Sequence, residues 1–343
     1  MRLGVVAAIM VVAVLIVAYL VTIGSSPAYR NPVFANDAPD PSVIRGPDGA
    51  YYAYVTQTYV DAQFANIPIL RSADLVEWSF VGDAFPKENP EWARRSPGDM
   101  WAPHIVEWGD GTYRLYFSAG RRLVAEMAIG VASADALEGP FTDSGGPIVT
   151  GEGFTAIDPF VVATPDGVRY LVWGSDSSPI LAQELSDDGL AVVGAPVELL
   201  TPSSAEYEGL IEGAWITEHD GRYYLFYSGD ACCGPEAHYA VMVARADHPL
   251  GPYARNPANP ILAGNDQFDA PGHNATISGS DGQDWIVYHA MVRDEGSTFR
   301  FLFIDRVDWI DGWPVINGGA GPTSCSTDAP GDILPRLPAC PED

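Results

Sequence analysis

One short pattern recurs five times along this 343-residue chain: an Asp-Gly pair followed by an alternating, aromatic-rich run. The copies are Asp48-Gly49 before YYAYV, Asp110-Gly111 before YRLYFS, Asp166-Gly167 before RYLVWGS, Asp220-Gly221 before RYYLFYSG and Asp281-Gly282 before DWIVYHA. Asp-Gly between two strands is the preferred pair for a type I′ hairpin turn, because both central residues must adopt positive φ. The pairs are separated by 62, 56, 54 and 61 residues, with no convincing amphipathic helix between them. A unit of several strands repeated at that period predicts an all-β chain folded as a five-bladed β-propeller. Related strand endings, ASADALEGPF at 132–141 and ARADHPLGPY at 244–253, with RSADLVEW at 71–78 as a looser copy, support the same period. The spacing places the blades near 36–95, 98–150, 153–204, 208–264 and 268–320, inside one domain spanning 29–320. Residues 321–343 form a C-terminal tail that packs across the closure of the ring.

The ends of the chain carry separate signals. After Arg2, residues 4–23 form an uncharged apolar run, so 1–28 reads as an export element. At about 20 residues the run is long for a cleaved signal and long enough to span a bilayer. The expectation is a secreted or extracellular protein, anchored to the membrane where the segment is retained. Export permits disulfides, and the four cysteines fall as Cys232-Cys233 and as Cys325 and Cys340 in the tail. Of the three connectivities, a vicinal bridge and a Cys325–Cys340 bridge are favoured. No metal-ligand spacing of the zinc type occurs among these cysteines. The formal charge of −27 repels phosphate backbones, so nucleic acid is a poor partner and a neutral polysaccharide or oligosaccharide a suitable one.

The repeat also singles out chemistry. The residues eight positions before each turn aspartate are Asp40, Ala102, Asp158, Glu212 and His273. First strands line the channel of a propeller, so equivalent positions on them form a ring, here with three carboxylates and a histidine. Carboxylates set among apolar strands are costly unless they bind a cation or do chemistry. Two carboxyl groups facing across a neutral substrate are the equipment for glycoside hydrolysis, one protonating the leaving oxygen and the other activating water or attacking. A third can raise the acid's pKa by like-charge repulsion. Each has a plainer alternative: Asp40 and Asp158 could cap turns before Pro41 and Pro159, and Glu206 and Glu208 compete with Glu212.

The motifs PDPSVI, SADLVEW, WAPHIVEWGDGTYRLYFSA, AIDPF, EGAWI, GHN and WIDGWPVI, in this order over residues 31–316, resemble those of glycoside hydrolase family 43. These are five-bladed propeller enzymes that invert the anomeric centre of arabinose- and xylose-containing polysaccharides. The resemblance implies Asp40 as general base, Asp158 as the pKa modulator, Glu212 as general acid and Arg300 as the arginine holding base and substrate. It implies that His273 binds substrate and sits beside a calcium or its waters, a structural ion rather than a required cofactor. A hydrogen-bonded core histidine is its plainer reading. Trp101 is a candidate sugar platform. The Cys-Cys pair resembles that of arabinan-active members, which favours an α-L-arabinofuranosidase or arabinanase. A β-xylosidase and a non-catalytic carbohydrate-binding propeller are the alternatives.

Overall fold

The computed structural model describes residues 28–109, 111–293, 298–328, 330–331 and 340. Among these there is no α-helix, and the strands form the five blades of a propeller. Blade 1 is built from Ser42–Arg45, Tyr51–Tyr54, Pro68–Ser72 and Trp78–Asp83, hydrogen-bonded in that order. The first strands of blades 2 to 5 are Met100–Trp108, Phe160–Ala163, Ile211–His219 and Phe268–Ser278. Their second strands are Thr112–Gly120, Arg169–Trp173, Arg222–Ala231 and Asp284–Val292.

The period-2 alternation of strands explains the packing. Every blade is sandwiched between two others, so both faces of its second strand must be apolar, and the repeated aromatic runs meet that demand. Tyr52 and Tyr54 face blade 2 and join Leu115 and Phe117 in one buried cluster. Tyr51 and Ala53, on the opposite face, pack with Trp285 and Val287 of blade 5. Blades 4 and 5 meet in the same way through Tyr224, Phe226, Ile286 and Tyr288. Each such side chain withdrawn from water contributes about 1.5–3 kcal/mol.

The hairpin turns differ from the expected type in most copies. Among the four copies whose Asp and Gly are both described, only Asp220-Gly221 has both residues at positive φ, 49° and 73°, as a type I′ turn requires. In the Asp48, Asp166 and Asp281 copies the glycine alone is left-handed, at 81°, 87° and 78°. There the glycine N–H returns to the carbonyl three residues earlier, Gly46, Thr164 and Gly279. These are three-residue loops, a type I turn followed by a left-handed glycine. The pair marks the turn in either case, but the loop length depends on residues before it that the Asp-Gly signal does not report.

Ring closure also redraws one boundary. Phe34–Asp37 pairs antiparallel with Phe301–Ile310, Phe34 opposite Leu302, and so forms the outer strand of blade 5. Residues 36 and 37 therefore belong to the last blade rather than the first, because turn spacing counts strands but does not show which sheet a terminal strand joins. Outside this closure Tyr29–Arg30 pairs with Cys325–Ser326 in a two-stranded sheet. Disulfides join Cys325 to Cys340 and Cys232 to Cys233. The apolar segment read as an export element lies outside the described residues, apart from Ala28 at its end. No helix among the described residues is long and apolar enough to cross a membrane.

Candidate active site

A single backbone device sets the site. Near the channel end of each first strand one residue takes a left-handed conformation: Asp40 at φ 55°, Ala102 at 43°, Asp158 at 60°, Gly213 at 60° and His273 at 45°. Blade 4 differs from the eight-residue count. Its hairpin loop is one residue shorter, so its equivalent position is Gly213, and Glu212 stands one residue before the ring. The N–H at four of these positions meets a side chain in, or just after, the second strand of the preceding blade. Ala102 donates to Thr56 Oγ1 at 2.8 Å, Asp158 to Ser118 Oγ at 2.9 Å and His273 to Ser228 Oγ at 2.9 Å. Across the closure the Asp40 N–H meets His289 Nδ1 at 3.2 Å. At the remaining junction the second-strand position is Gly174, which has no side chain to offer. The carboxylate of Asp158 takes the Gly213 N–H instead, at 2.9 Å.

The three predicted carboxylates, His273 and Arg300 line one cavity of about 570 Å³, together with Trp101. Asp40 is engaged on both oxygens. Arg300 contacts Oδ1 at 2.8 Å, and Thr56 donates to Oδ2 at 2.6 Å. Burial works against its charge, but Arg300, with the adjacent His273 and His289, outweighs it and holds the carboxyl well below the ordinary carboxylate range. Asp158 is displaced the opposite way, well upward, by burial and then by the charges of Glu212 and Asp40. Glu212 is also raised by burial, with opposing hydrogen bonds from Ser175 and Tyr239 and repulsion from Asp40. One cavity therefore holds a carboxylate fixed in its charged form and a coupled pair that retains a proton.

His273 Nδ1 lies 3.6 Å from both Asp40 Oδ1 and Asp158 Oδ2, between the two kinds of carboxylate. Burial lowers its pKa, so it stands there as a neutral ring. The calcium expected beside it, directly or through its waters, would find few free protein oxygens. Calcium takes six to eight oxygens, whereas the nearest oxygens belong to Asp40 and Asp158, which are already held by Arg300, Thr56 and Gly213. No group of three or more His, Cys, Asp or Glu side chains among the described residues is arranged to hold a metal. At 3.6 Å neither carboxylate is hydrogen-bonded to the ring, and an ion beside it would have to be held through waters.

Two residues further along the first strands, His104, Phe160 and Trp215 close the channel with ring centroids 4.6–5.4 Å apart. Burial lowers the His104 pKa to about 3, so this plug is uncharged. The cavity is thus closed beneath the carboxylates. On its wall Trp101 stacks on Phe154 at 6.0 Å, and Cys232 and Cys233 contribute to the lining. Of the competing glutamates, Glu208 is buried elsewhere against Arg255 at 2.6 Å, with Ser203 and Tyr227 on its oxygens, and Glu206 is exposed. Two other hollows of similar size, one between blades 2 and 3 and one beside Trp92, carry no buried titratable group.

Several residues around the carboxylates went unseen in the sequence. Thr56 and His289 hold Asp40, while Ser175 and Tyr239 hold Glu212. Asp37 accepts the Arg300 N–H at 2.7 Å and a bond from Thr58 at 2.6 Å, fixing the segment that presents the guanidinium. Thr56, Ser118, Ser228 and His289 all lie seven residues after a turn glycine, a second register as regular as the first.

Comparisons with known proteins agree with this architecture. Residues 29–314 match the family model of the glycosyl hydrolases family 43. A xylan 1,3-beta-xylosidase from Vibrio sp is 30% identical over 91% of the chain, which spans 61% of that relative. A beta-D-galactofuranosidase from Aspergillus niger is 32% identical, with 84% of each protein covered. The extracellular endo-alpha-(1->5)-L-arabinanase 1 of Bacillus subtilis is 27% identical over 80% of the chain and 86% of its own length. The crystal structure of a thermostable family-43 glycoside hydrolase superposes with a TM-score of 0.75 at 28% identity, covering 89% of this chain and 99% of that one. A propeller of five blades, the carboxylates gathered in one cavity and a family match over most of the chain place this protein among the glycosyl hydrolases of family 43.

Proposed function

We propose that this glycoside hydrolase cleaves arabinofuranosyl linkages of plant polysaccharides or oligosaccharides by a single displacement that inverts the anomeric carbon. The observation that carries the reading is the opposite tuning of carboxylates in one cavity. Asp40 is kept charged by Arg300 and suits the general base. Glu212 is raised, first by burial, and suits the acid, with Asp158 beside it raised further by burial and then by the charge of Glu212, so that the two hold one proton between them. Asp40 takes a proton from water as that water attacks the anomeric carbon, and Glu212 gives its proton to the departing glycosidic oxygen. Arg300 and His273 also border the space where sugar hydroxyls would lie, and Trp101 with Phe154 offers an aromatic face.

Similarity to an endo-arabinanase supports arabinan as substrate. The 30% identity to a xylosidase favours a second reading, a β-xylosidase. Aryl α-L-arabinofuranoside, aryl β-D-xyloside and linear arabinan, assayed side by side, separate the two. Proton NMR of the first-formed sugar tests the displacement: an inverted anomer is expected, and a retained anomer refutes single displacement. Binding without release on every substrate would favour a carbohydrate-binding propeller. Export of the protein, with anchoring where the N-terminal segment is retained, belongs to the same proposal, and the full-length chain found soluble in the cytoplasm would refute it.

A further inference from the structure

The groups that fix Glu212 are as specific as those that fix Asp40, and none is itself acidic. Ser175 Oγ donates to Glu212 Oε2 at 2.5 Å, and Tyr239 OH donates to Oε1 at 2.8 Å. Ser175 and Tyr239 are almost wholly buried, at 1% and 2% exposure, so water does not replace either bond. They come from different blades, Ser175 after the second strand of blade 3 and Tyr239 in the third strand of blade 4, His238–Ala246. The Tyr239 ring is seated by Gly272. A Cβ there would lie 2.1 Å from the tyrosine Cδ1 and Cε1, so only glycine leaves room for the ring. Its other neighbour is the His289 ring, parallel to within 3° at 5.8 Å, which meets Asp40 through Nδ1.

We propose that Ser175 and Tyr239 are positioning residues that hold the carboxyl of Glu212 in its proton-donating rotamer and stabilise the carboxylate it becomes when the proton leaves. The proposal rests on Glu212 being the general acid. Burial alone would make Glu212 a reluctant donor, because the charged product of transfer is disfavoured in a dry site. Two hydroxyl donors oppose that by stabilising the anion. The Tyr239 phenol is itself held well above its ordinary pKa, first by burial and then by the surrounding carboxylates, so it stays a donor throughout the working pH range.

The test uses leaving-group dependence. A hydrogen bond to a charged group, once removed, costs roughly 10- to 100-fold in a step that needs it. Tyr239→Phe should therefore lower kcat on linear arabinan or another natural glycan cleaved by the wild type by about that factor. On a nitrophenyl glycoside, whose leaving group needs little protonation, the loss should stay within a few-fold. The alkaline limb of the natural-substrate profile should move to higher pH, because the remaining carboxyl holds its proton more tightly. Ser175→Ala should behave likewise, and it decides the matter if Tyr239→Phe does not fold. Equal losses on both substrates with an unmoved alkaline limb would overturn the proposal. Glu212→Ala is the control: if it too loses equally on both substrates, the acid assignment fails. If it alone discriminates, only the roles of Ser175 and Tyr239 fall.

Discussion

Replacing Arg300 by methionine removes the guanidinium and keeps a stem of similar shape. The segment should stay in place, because the Arg300 N–H remains bonded to Asp37. What changes is the charge 2.8 Å from Asp40 Oδ1, in a contact whose side chains are only 15% and 10% exposed. Removing one partner of such a buried pair typically costs about 3–5 kcal/mol, since the remaining charge has lost its counterion. At 1.36 kcal/mol per tenfold, this is roughly 10²- to 10⁴-fold less ionised Asp40 at any pH below its own titration. The sign follows from the wild type. A carboxyl whose folded pKa is depressed stays charged until the pH falls far below the ordinary range, so the acidic limb of activity lies low. Without Arg300, burial dominates, Asp40 takes up a proton at milder acidity, and the acidic limb of kcat/KM moves upward. Initial rates on a nitrophenyl glycoside between about pH 4 and 9, with Tm measured across the same range, would show it. Arg300→Lys, which restores a charge without the planar fork, should recover part of the shift. An Arg300→Met enzyme whose acidic limb is unchanged would refute the electrostatic account of the base.

Four further outcomes are expected. Glu212→Ala should lose about 10²- to 10⁴-fold on natural polysaccharide and much less on a nitrophenyl glycoside, whereas Asp40→Ala should abolish both; steady-state rates on the two substrates decide. Asp158→Asn removes the mutual repulsion that makes the two neighbouring carboxyls hold their last proton, so the alkaline limb of kcat should move to lower pH, and a profile unmoved on that side would contradict the modulator role. Gly272→Ala should force the Tyr239 ring more than 1 Å from its place and lower kcat about 10²-fold, with a modest fall in Tm; full activity would show that the ring has somewhere else to go. Replacing Cys325 and Cys340 together by serine opens a loop of 15 residues and should cost about 3 kcal/mol, read as a fall in the thermal midpoint.

The propeller was legible because its signal is local and repeated: each turn glycine and aromatic second strand reports one hairpin, and five hairpins count five blades. The same locality limited the reading. The outer strand of blade 5 comes from Phe34–Asp37, far away in sequence, and only hydrogen bonding reveals the partner. Asp40, Asp158, Glu212 and His273 were found by counting back from the turns, and Arg300 by family resemblance. The count reached Glu212 for a reason it did not contain. The type I′ turn at Asp220-Gly221 shortens the blade 4 hairpin by one residue, so the strict equivalent is Gly213. The groups that tune the carboxylates were hidden because a serine or tyrosine on a strand looks like any other half-buried polar residue. Thr56 and His289 could have been found from the second register, seven residues after the turn glycines. Tyr239 belongs to no register at all.

That irregularity bears on how a five-fold scaffold comes to run an asymmetric reaction. A ring of equivalent positions, each capped by the neighbouring blade, gives five similar environments, while acid and base chemistry requires two that differ. The repeat is broken at the junction of blades 3 and 4, where Gly174 leaves the next N–H uncapped and Asp158 turns to satisfy it. Ser175, one residue on, is then free to bond Glu212, which the shorter hairpin has placed one step before the ring. On the opposite side the regular cap is retained at Asp40, and Arg300 is added to it. The base sits where the repeat is kept and the acid where it is broken. The regular cap cannot be restored by a serine at that junction, because a Cβ on Gly174 would lie 2.7 Å from the Pro179 carbonyl oxygen, so the break in the repeat is built into the backbone and Asp158 is left as the acceptor for the Gly213 N–H.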